Sequence, residues 1–381
     1  METVKGFKDK LGKEAEKAAF IREVVRQTFE RYNFQEIETP IIEYEEFVKG
    51  ENPNDEAVSD IFRLQDRGKR NLALRYEFTF QLKRVAKNQK LPFKRFQIGP
   101  VFRDEPVQGN RLRQFTQCDI DTIGATIKDQ AEILAATTEI LDALKVESTI
   151  LISNRSLLNE ILEEQKIKEK GKAIRELDKL DKLSEKEVYE NLKKINAEKL
   201  LEIVKKKEDF FKKYPSYSEI EELKKCLGYY GIKTKFQPSL ARGLGYYVGN
   251  VWEIKSNIKE TICAGGTYLI DGNVSTGITL GIERLMAVLN IKIDIEKILV
   301  VSLDEDKKSI EIAKKLRKFG KNASVYFGKP TKALEYANSY GIKKVIFVGK
   351  KEVEKKKIKV KNMLTGEEIT LTIEKIDKGK I

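Results

Sequence analysis

Between Phe102 and Asp121 the chain reads FRDEPVQGNRLRQFTQCDID, which sets Arg103, Arg111 and Arg113 among Asp104, Glu105, Asp119 and Asp121. Guanidinium forks bind phosphate oxygens in pairs, and interspersed carboxylates hold an ammonium, a metal or a base edge. Such a set suits a nucleotide together with a zwitterion. Chemistry that runs through imidazole is excluded, because the chain contains no histidine; the commonest general base and the commonest metal ligand are both absent. Cys118, Cys226 and Cys263 lie far apart without a CxxC pair, so they read as free buried thiols, and neither a zinc module nor a disulfide framework is indicated. No protein metal ligand can be named.

These groups need elements to aim them, and strand alternation offers one. In RYEFTF, read as strand, Arg75, Glu77 and Thr79 share one side, while Tyr76, Phe78 and Phe80 share the other. Beyond the turn Arg111, Arg113, Phe115, Gln117, Asp119 and Asp121 have one parity, opposite Leu112, Thr116, Cys118 and Ile120. Neighbouring segments thus present a polar face backed by apolar residues, with the arginines expected on rigid strands.

Around this centre the periodicity predicts a helix over 14–32, an extended stretch FQEIETPIIEYEEF bent at Pro40, and a helix over 127–146. Residues 155–235 are rich in Lys, Glu and Leu at helical spacing and read as an all-helical insertion. Strand character returns at LARGLGYYVGNVWEI and ETICAGGTYLID, and GITLGIERLMAVLN opens with glycine and runs into a helix. From 297 to 381 strands and helices alternate and close on a hairpin around MLTGEE, a small α/β domain with a mixed sheet.

Charge follows the same division. Of the formal net charge of +13, the stretch 297–381 carries +11 and the stretch 155–235 carries +4, leaving −2 for the remainder. A near-neutral body with a basic tail domain is the footprint of a module that docks on a polyanion such as nucleic acid. No apolar run is long enough to cross a bilayer and the N-terminus is charged, so a cytoplasmic location is expected.

The motifs resemble those of the class II aminoacyl-tRNA synthetases. FRDEPVQGNRLRQFTQCDIDTIG resembles motif 2 in the form found in histidyl-tRNA synthetases, FQEIETPIIE resembles motif 1, and GITLGIERL resembles motif 3. LARGLGYYVGNVWE and LRYEFTF are similar to two segments peculiar to the histidine enzymes, and the tail is similar to their anticodon-binding domain. The resemblance implies an α/β (α+β) fold: a catalytic domain on an antiparallel sheet flanked by helices, made of 1–154 and 236–291. The helical insertion 155–235 interrupts it and the α/β anticodon-binding domain 297–381 follows.

It also implies a reaction: histidine and ATP form histidyl-adenylate and pyrophosphate, and the terminal ribose of tRNA(His) then takes the histidyl group. In-line displacement at phosphorus runs on positioning and charge stabilisation, so arginines serve where no side-chain nucleophile is present. By the resemblance, Arg103 holds the α-phosphate, Glu105 meets the adenine amino group and Phe115 stacks on the ring. Arg111 and Arg284 grip the outer phosphates with Arg113 beside them, and Arg242 approaches the α-phosphate from the other side. Magnesium is expected on the pyrophosphate portion. Glu77, Thr79 and Gln117 receive the ammonium of histidine, and its ring lies against Tyr246, Tyr247 and Tyr268 with a ring nitrogen on Asp121. Gln108 and Gly109 are placed to reach the acceptor stem, and motif 1 implies a homodimer.

Departures from the pattern fall at Gly245, Thr116, Thr267 and Leu269, which are expected to touch the walls of the histidine pocket. Two other readings stay open: a synthetase-like regulatory subunit that binds histidine without charging tRNA, and a class II synthetase for another amino acid.

Overall fold

The structure, a computed structural model, describes residues 1–381 apart from 51–55, 108–110, 182, 242–245, 292 and 377–381. The chain divides into two compact units, Met1–Ile291 and Lys292–Ile381.

The strands of the first unit open with β1 (Gln35–Glu36), β2 (Ile42–Tyr44), β3 (Arg63–Gln65), β4 (Asn71–Leu74), β5 (Phe93–Phe102) and β6 (Gln114–Ile123). They continue with β7 (Thr149–Asn154), β8 (Thr234–Phe236), β9 (Tyr247–Lys255), β10 (Cys263–Ile270) and β11 (Asn273–Gly281). Eight of them form one sheet in the order β1-β5-β6-β11-β10-β9-β7-β8, while β2, β4 and β3 form a separate small sheet. Pairing in the large sheet is antiparallel except at its edges, where β1 runs parallel to β5 and β8 to β7.

Register decides what each face of that sheet carries. Opposed residues point the same way, so Phe96, Ile120, Ile278, Gly265, Trp252 and Ile152 share one side. The side chains in that row are buried. Helices cover it: Phe29 of helix Gly12–Arg31 packs its ring 5.5 Å from that of Phe96, and helix Ile127–Ala143 buries Ile133, Leu134, Ile140 and Leu141. A capping box between Thr126 and Asp129 starts the latter helix. At about 1.5–3 kcal/mol per fully buried large apolar side chain, this face anchors the unit. The opposite face carries the polar parity, and it is where the candidate site lies.

The polar run of RYEFTF departs from expectation. β4 ends at Leu74, in the small sheet, and Arg75–Phe80 form an irregular turn before helix Leu82–Ala86. The cause is tertiary. Arg75, buried, donates from Nε to Pro100 O at 2.9 Å and from Nη1 to Thr39 O at 2.7 Å, and its own carbonyl accepts from Phe102 N at 3.0 Å. These bonds draw the segment off its sheet and lay it beside the end of β5.

Between 155 and 230 the chain is helical, from Arg155–Glu164 to Tyr217–Tyr229, with 3-10 turns between. Asn154 caps the first helix by accepting from Ser156 N and Leu157 N.

The second unit holds β12 (Lys297–Leu303), β13 (Asn322–Phe327), β14 (Lys344–Gly349), β15 (Lys357–Asn362) and β16 (Glu368–Thr372) in the order β13-β12-β14-β15-β16. Alternation along β12 feeds two cores. Ile298 and Val300 meet Ile312, Ala313 and Leu316 of helix Asp306–Lys318, while Leu299 and Val301 meet Ala333 and Ala337 of helix Pro330–Ser339. Among the described residues no helix is long and apolar enough to cross a membrane.

Candidate functional site

Strand β6 supplies the axis of the site. Gln117, Asp119 and Asp121 project from its polar face, and all three are buried. Their neighbours on β5 are Gly99, Gln97 and Arg95, and on β11 Gly281, Thr279 and Gly277. One end of this row is buried and acidic. The other opens onto the arginine-rich turn.

At the open end, Arg103 follows β5 directly and its backbone N–H donates to Arg113 O at 2.8 Å. Its Nε donates to Tyr76 O at 3.1 Å, and the guanidinium lies 5.3 Å from the centre of the Phe115 ring. Glu105 accepts from Arg111 at 3.0 Å and lies 3.8 Å from Arg103. Arg113 pairs with Asp104 at 3.1 Å and donates from Nε to Glu105 O at 3.2 Å. Arg103, Glu105, Arg111, Arg113 and Phe115 are therefore brought together. The expected rigid strands are not what holds the arginines: all three lie just outside them, since β5 ends at Phe102 and β6 begins at Gln114.

A device that sequence reasoning missed seats this turn. The carbonyl of Gly6 accepts from Arg113 N at 2.9 Å and Gln114 N at 3.3 Å, where β6 begins. Gly6 has φ +87°, and a Cβ there would lie 2.7 Å from Cγ of Arg113. Phe7 packs between Phe62 and Phe102, with ring centres 5.9 and 6.5 Å away. Lys10 pairs with Glu283, whose other oxygen accepts from Thr116 N at 3.0 Å. Glu283 precedes Arg284 on helix Ile282–Val288, and Arg284 donates to Thr261 O at 2.6 Å. Arg284 thus stands beside the start of β6, linked to it through its neighbour. GFKDK, spanning 6–10, carried no charge pattern that marked it as part of a site.

The closed end is assembled from four segments. Glu77, buried, accepts from the Tyr246 hydroxyl at 3.3 Å, and Thr79 bonds the same tyrosine. The ring of Tyr246 lies 4.7 Å from Tyr247 and 5.7 Å, edge-on, from Tyr268. The Tyr268 hydroxyl donates to Oδ1 of Asp121. Glu77, Thr79, Tyr246, Tyr247, Tyr268 and Asp121 therefore form one connected wall, and Gln117 lies on the same face with its Oε1 buried and, among the described residues, without a hydrogen-bond partner. Burial pushes the phenols of Tyr246 and Tyr268 well above their usual range, so both hydroxyls keep their protons and remain donors.

Arg95 and Asp119 complete this end, and neither is among the residues that the motif resemblance implies. Arg95 Nη2 lies 2.6 Å from Oδ2 of Asp121, with both side chains buried. Burial raises the Asp121 carboxyl, against the pull of Arg95 and the Tyr268 hydrogen bond. Burial also lifts the Asp119 carboxyl well above its usual range, with Arg95 opposing and the charge of Asp121 adding to the rise. Two carboxylates thus share one guanidinium. The signal in the sequence was the parity of Arg95 with Gln97 in KRFQIGP.

Some expectations are corrected. Thr267 and Leu269 have the parity opposite to Tyr268 on β10, and Leu269 is 46% exposed, so both project from the other face of the sheet. Thr116 likewise points away from Gln117 on β6. Gly245, Arg242, Gln108 and Gly109 lie outside the described residues. Among the described residues no group of three or more acidic or cysteine side chains could hold a metal ion.

Known proteins resemble the chain along nearly its whole length. Residues 6–285 match the family model of histidyl-tRNA synthetase, and residues 296–379 match that of the anticodon binding domain. The chain is 34% identical to a histidine–tRNA ligase of Wolinella succinogenes, covering 96% of this chain and 94% of that protein. It is 32% identical to histidine–tRNA ligase 2 of Shouchella clausii, covering 96% and 97%. A crystal structure of histidyl-tRNA synthetase from a Nostoc species superposes with a TM-score of 0.85 at 25% identity, over 99% of this chain and 98% of that one. A structure from Bacillus halodurans described as an ATP phosphoribosyltransferase regulatory subunit/histidyl-tRNA synthetase shares the fold, with a TM-score of 0.76 at 22% identity over 91% and 97%. With the synthetase model matching most of its length and relatives above 30% identity along nearly all of it, the chain belongs to the histidyl-tRNA synthetase family.

Proposed function

We propose that the chain is a histidine–tRNA ligase, which activates histidine with ATP and transfers it to the 3′ end of tRNA(His). The observation that carries this reading is a single polar sheet face with an arginine–glutamate–phenylalanine cluster at its open end and the buried Asp121–Tyr268 pair at its closed end. A nucleotide fits the first and a small zwitterion with a ring N–H fits the second. Histidine and ATP laid along β6 bring the amino-acid carboxylate to the α-phosphate between them.

In the first step a carboxylate oxygen of histidine attacks the α-phosphorus, the bond to the bridging oxygen breaks, and pyrophosphate leaves. Arg103 neutralises the α-phosphate, Glu105 accepts from the adenine amino group, and Phe115 stacks under the ring. Arg111, Arg113 and Arg284 hold the outer phosphates, and Arg242 takes the side of the α-phosphate opposite Arg103 by the motif resemblance. Magnesium enters with ATP on its phosphates as part of the substrate. Glu77, Thr79 and Gln117 receive the ammonium. Asp121 accepts from the imidazole N–H while Tyr246, Tyr247 and Tyr268 wall the ring. In the second step a terminal ribose hydroxyl attacks the carbonyl carbon and AMP leaves.

Residues 1–154 with 236–291 serve as the catalytic domain, 155–235 as its helical insertion, and 297–381 as the anticodon-binding domain, and the whole chain works as a homodimer in the cytoplasm. Retention of the tail argues against the regulatory reading. The test is transfer of labelled histidine to a tRNA(His) transcript by the purified chain with ATP and magnesium. Histidyl-tRNA is the expected product; histidine binding without transfer would favour a regulatory subunit.

A further inference from the structure

Arg95 is completely buried, and none of its three guanidinium nitrogens makes an aligned hydrogen bond among the described residues. Stranding a guanidinium is costly unless its charge is put to use. Its Nη2 lies 2.6 Å from Oδ2 of Asp121. The site on the other flank of Asp121 is also shaped for that carboxylate: a Cβ on Gly277 would lie 2.0 Å from Oδ1. Arg95, Asp121 and Gly277 stand in one cross-strand row, so the sheet register itself holds the guanidinium on the carboxylate. Oδ1 is occupied by the Tyr268 hydroxyl. Among the described residues Oδ2 has no aligned hydrogen bond, and it keeps a lone pair for a ligand N–H.

We propose that Arg95 is a specificity-positioning residue, which by balancing the charge of Asp121 makes the closed end of the site select a neutral imidazole ring over imidazolium. The proposal rests on the reading of Asp121 as the acceptor for the imidazole N–H. Among the described residues, charged and titratable groups approach Asp121 from three strands. Arg95 faces it from β5, Tyr268 from β10 and Asp119 from its own strand; Glu77, Arg75 and Tyr247 act on members of this set from farther off. Asp119 holds its proton, since burial and its neighbour both raise it. Glu77 is committed to the ammonium. Arg95 and Asp121 then cancel, and a cationic ring would enter a desolvated pocket with no counter-charge left for it. Without Arg95 the bare carboxylate of Asp121 would welcome imidazolium instead.

The experiment is histidine-dependent ATP–pyrophosphate exchange at pH 6 and pH 8, read as KM for histidine with KM for ATP as the internal control. Only about a quarter of histidine carries a neutral ring at pH 6, so selection of that form raises the wild-type KM about fourfold from pH 8 to pH 6. Arg95→Met is expected to raise KM for histidine at pH 8 by about tenfold, leave KM for ATP unchanged, and bring the ratio between the two pH values to about one or below. Arg95→Lys, which keeps the charge, restores the fourfold ratio. Arg95→Gln replaces Arg95→Met should circular dichroism show the latter unfolded. A wild-type ratio near one overturns the proposal, as does a neutral variant whose ratio stays fourfold, since that reduces Arg95 to packing. If the wild type does not respond to histidine, the functional reading itself fails, an outcome distinct from either of these.

Discussion

The two ends of the β6 face hold similar residues under opposite conditions. At the open end Arg111 is 46% exposed and its partner Glu105 26%, and the pairs among Arg103, Glu105, Arg111, Arg113 and Asp104 are with one another. Ion pairs of that kind are worth little in water, so they separate readily when a triphosphate arrives. At the closed end Arg95 and Asp121 are buried, and one oxygen of Asp119 has no hydrogen-bond partner among the described residues. There the cost is met on folding, before any ligand enters. Exposed charge makes a site that rearranges around its substrate; buried charge makes one that rejects the wrong substrate.

The sharpest way to break the comparison is Asp121→Ala. A site built around a buried acceptor discriminates by roughly four to five decades, so histidine-dependent exchange should fall below detection; near-normal exchange would remove Asp121 from the ring site. Arg103→Ala comes next, with an expected loss in kcat of about two to three decades, since its charge is wanted most as the α-phosphate is displaced. KM for histidine should stay within about twofold, a figure set by the independence of distant sites, and steady-state kinetics on both substrates checks it.

Glycine at position 6 tests how the open end is seated. Gly6→Ala must place a methyl against the stem of Arg113 at a positive φ, so KM for ATP should rise by up to about tenfold through a misplaced guanidinium. KM for histidine should not follow. Equal effects on both substrates would mean that the N-terminal segment supports the whole fold rather than this turn.

Asp119→Asn has the smallest and least obvious effect, because it should stabilise. Burial lifts the Asp119 carboxyl well above its usual range, so the folded state keeps a proton that the unfolded chain releases near about pH 4. Its stability contribution is fullest below that pH and is lost as pH rises toward the folded value. Removing the group should raise the melting midpoint at neutral pH by about 2–4 °C and flatten its fall with pH. A lower midpoint would show that Arg95 needs both carboxylates.

Much of this arrangement could be read from the chain itself, and the failures have physical causes. Alternation in QFTQCDID placed Gln117, Asp119 and Asp121 on one face, since a strand with one apolar side has a single workable register. The same rule misread RYEFTF, because bonds from Arg75 to Pro100 and Thr39, distant in sequence, override local pattern. Arg95 escaped notice because a lone arginine in a strand reads as solvated surface until its cross-strand partner is known. Thr267 and Leu269 looked consequential because they depart from the family motif, yet one step along a strand turns a side chain to the other face.

ATP–pyrophosphate exchange measured separately with each of the twenty amino acids tests the central claim most directly. The account predicts exchange with histidine alone, lost in Asp121→Ala and carried by a chain that itself contains no imidazole. Exchange driven by another amino acid, or none with histidine while ATP still binds, would contradict it.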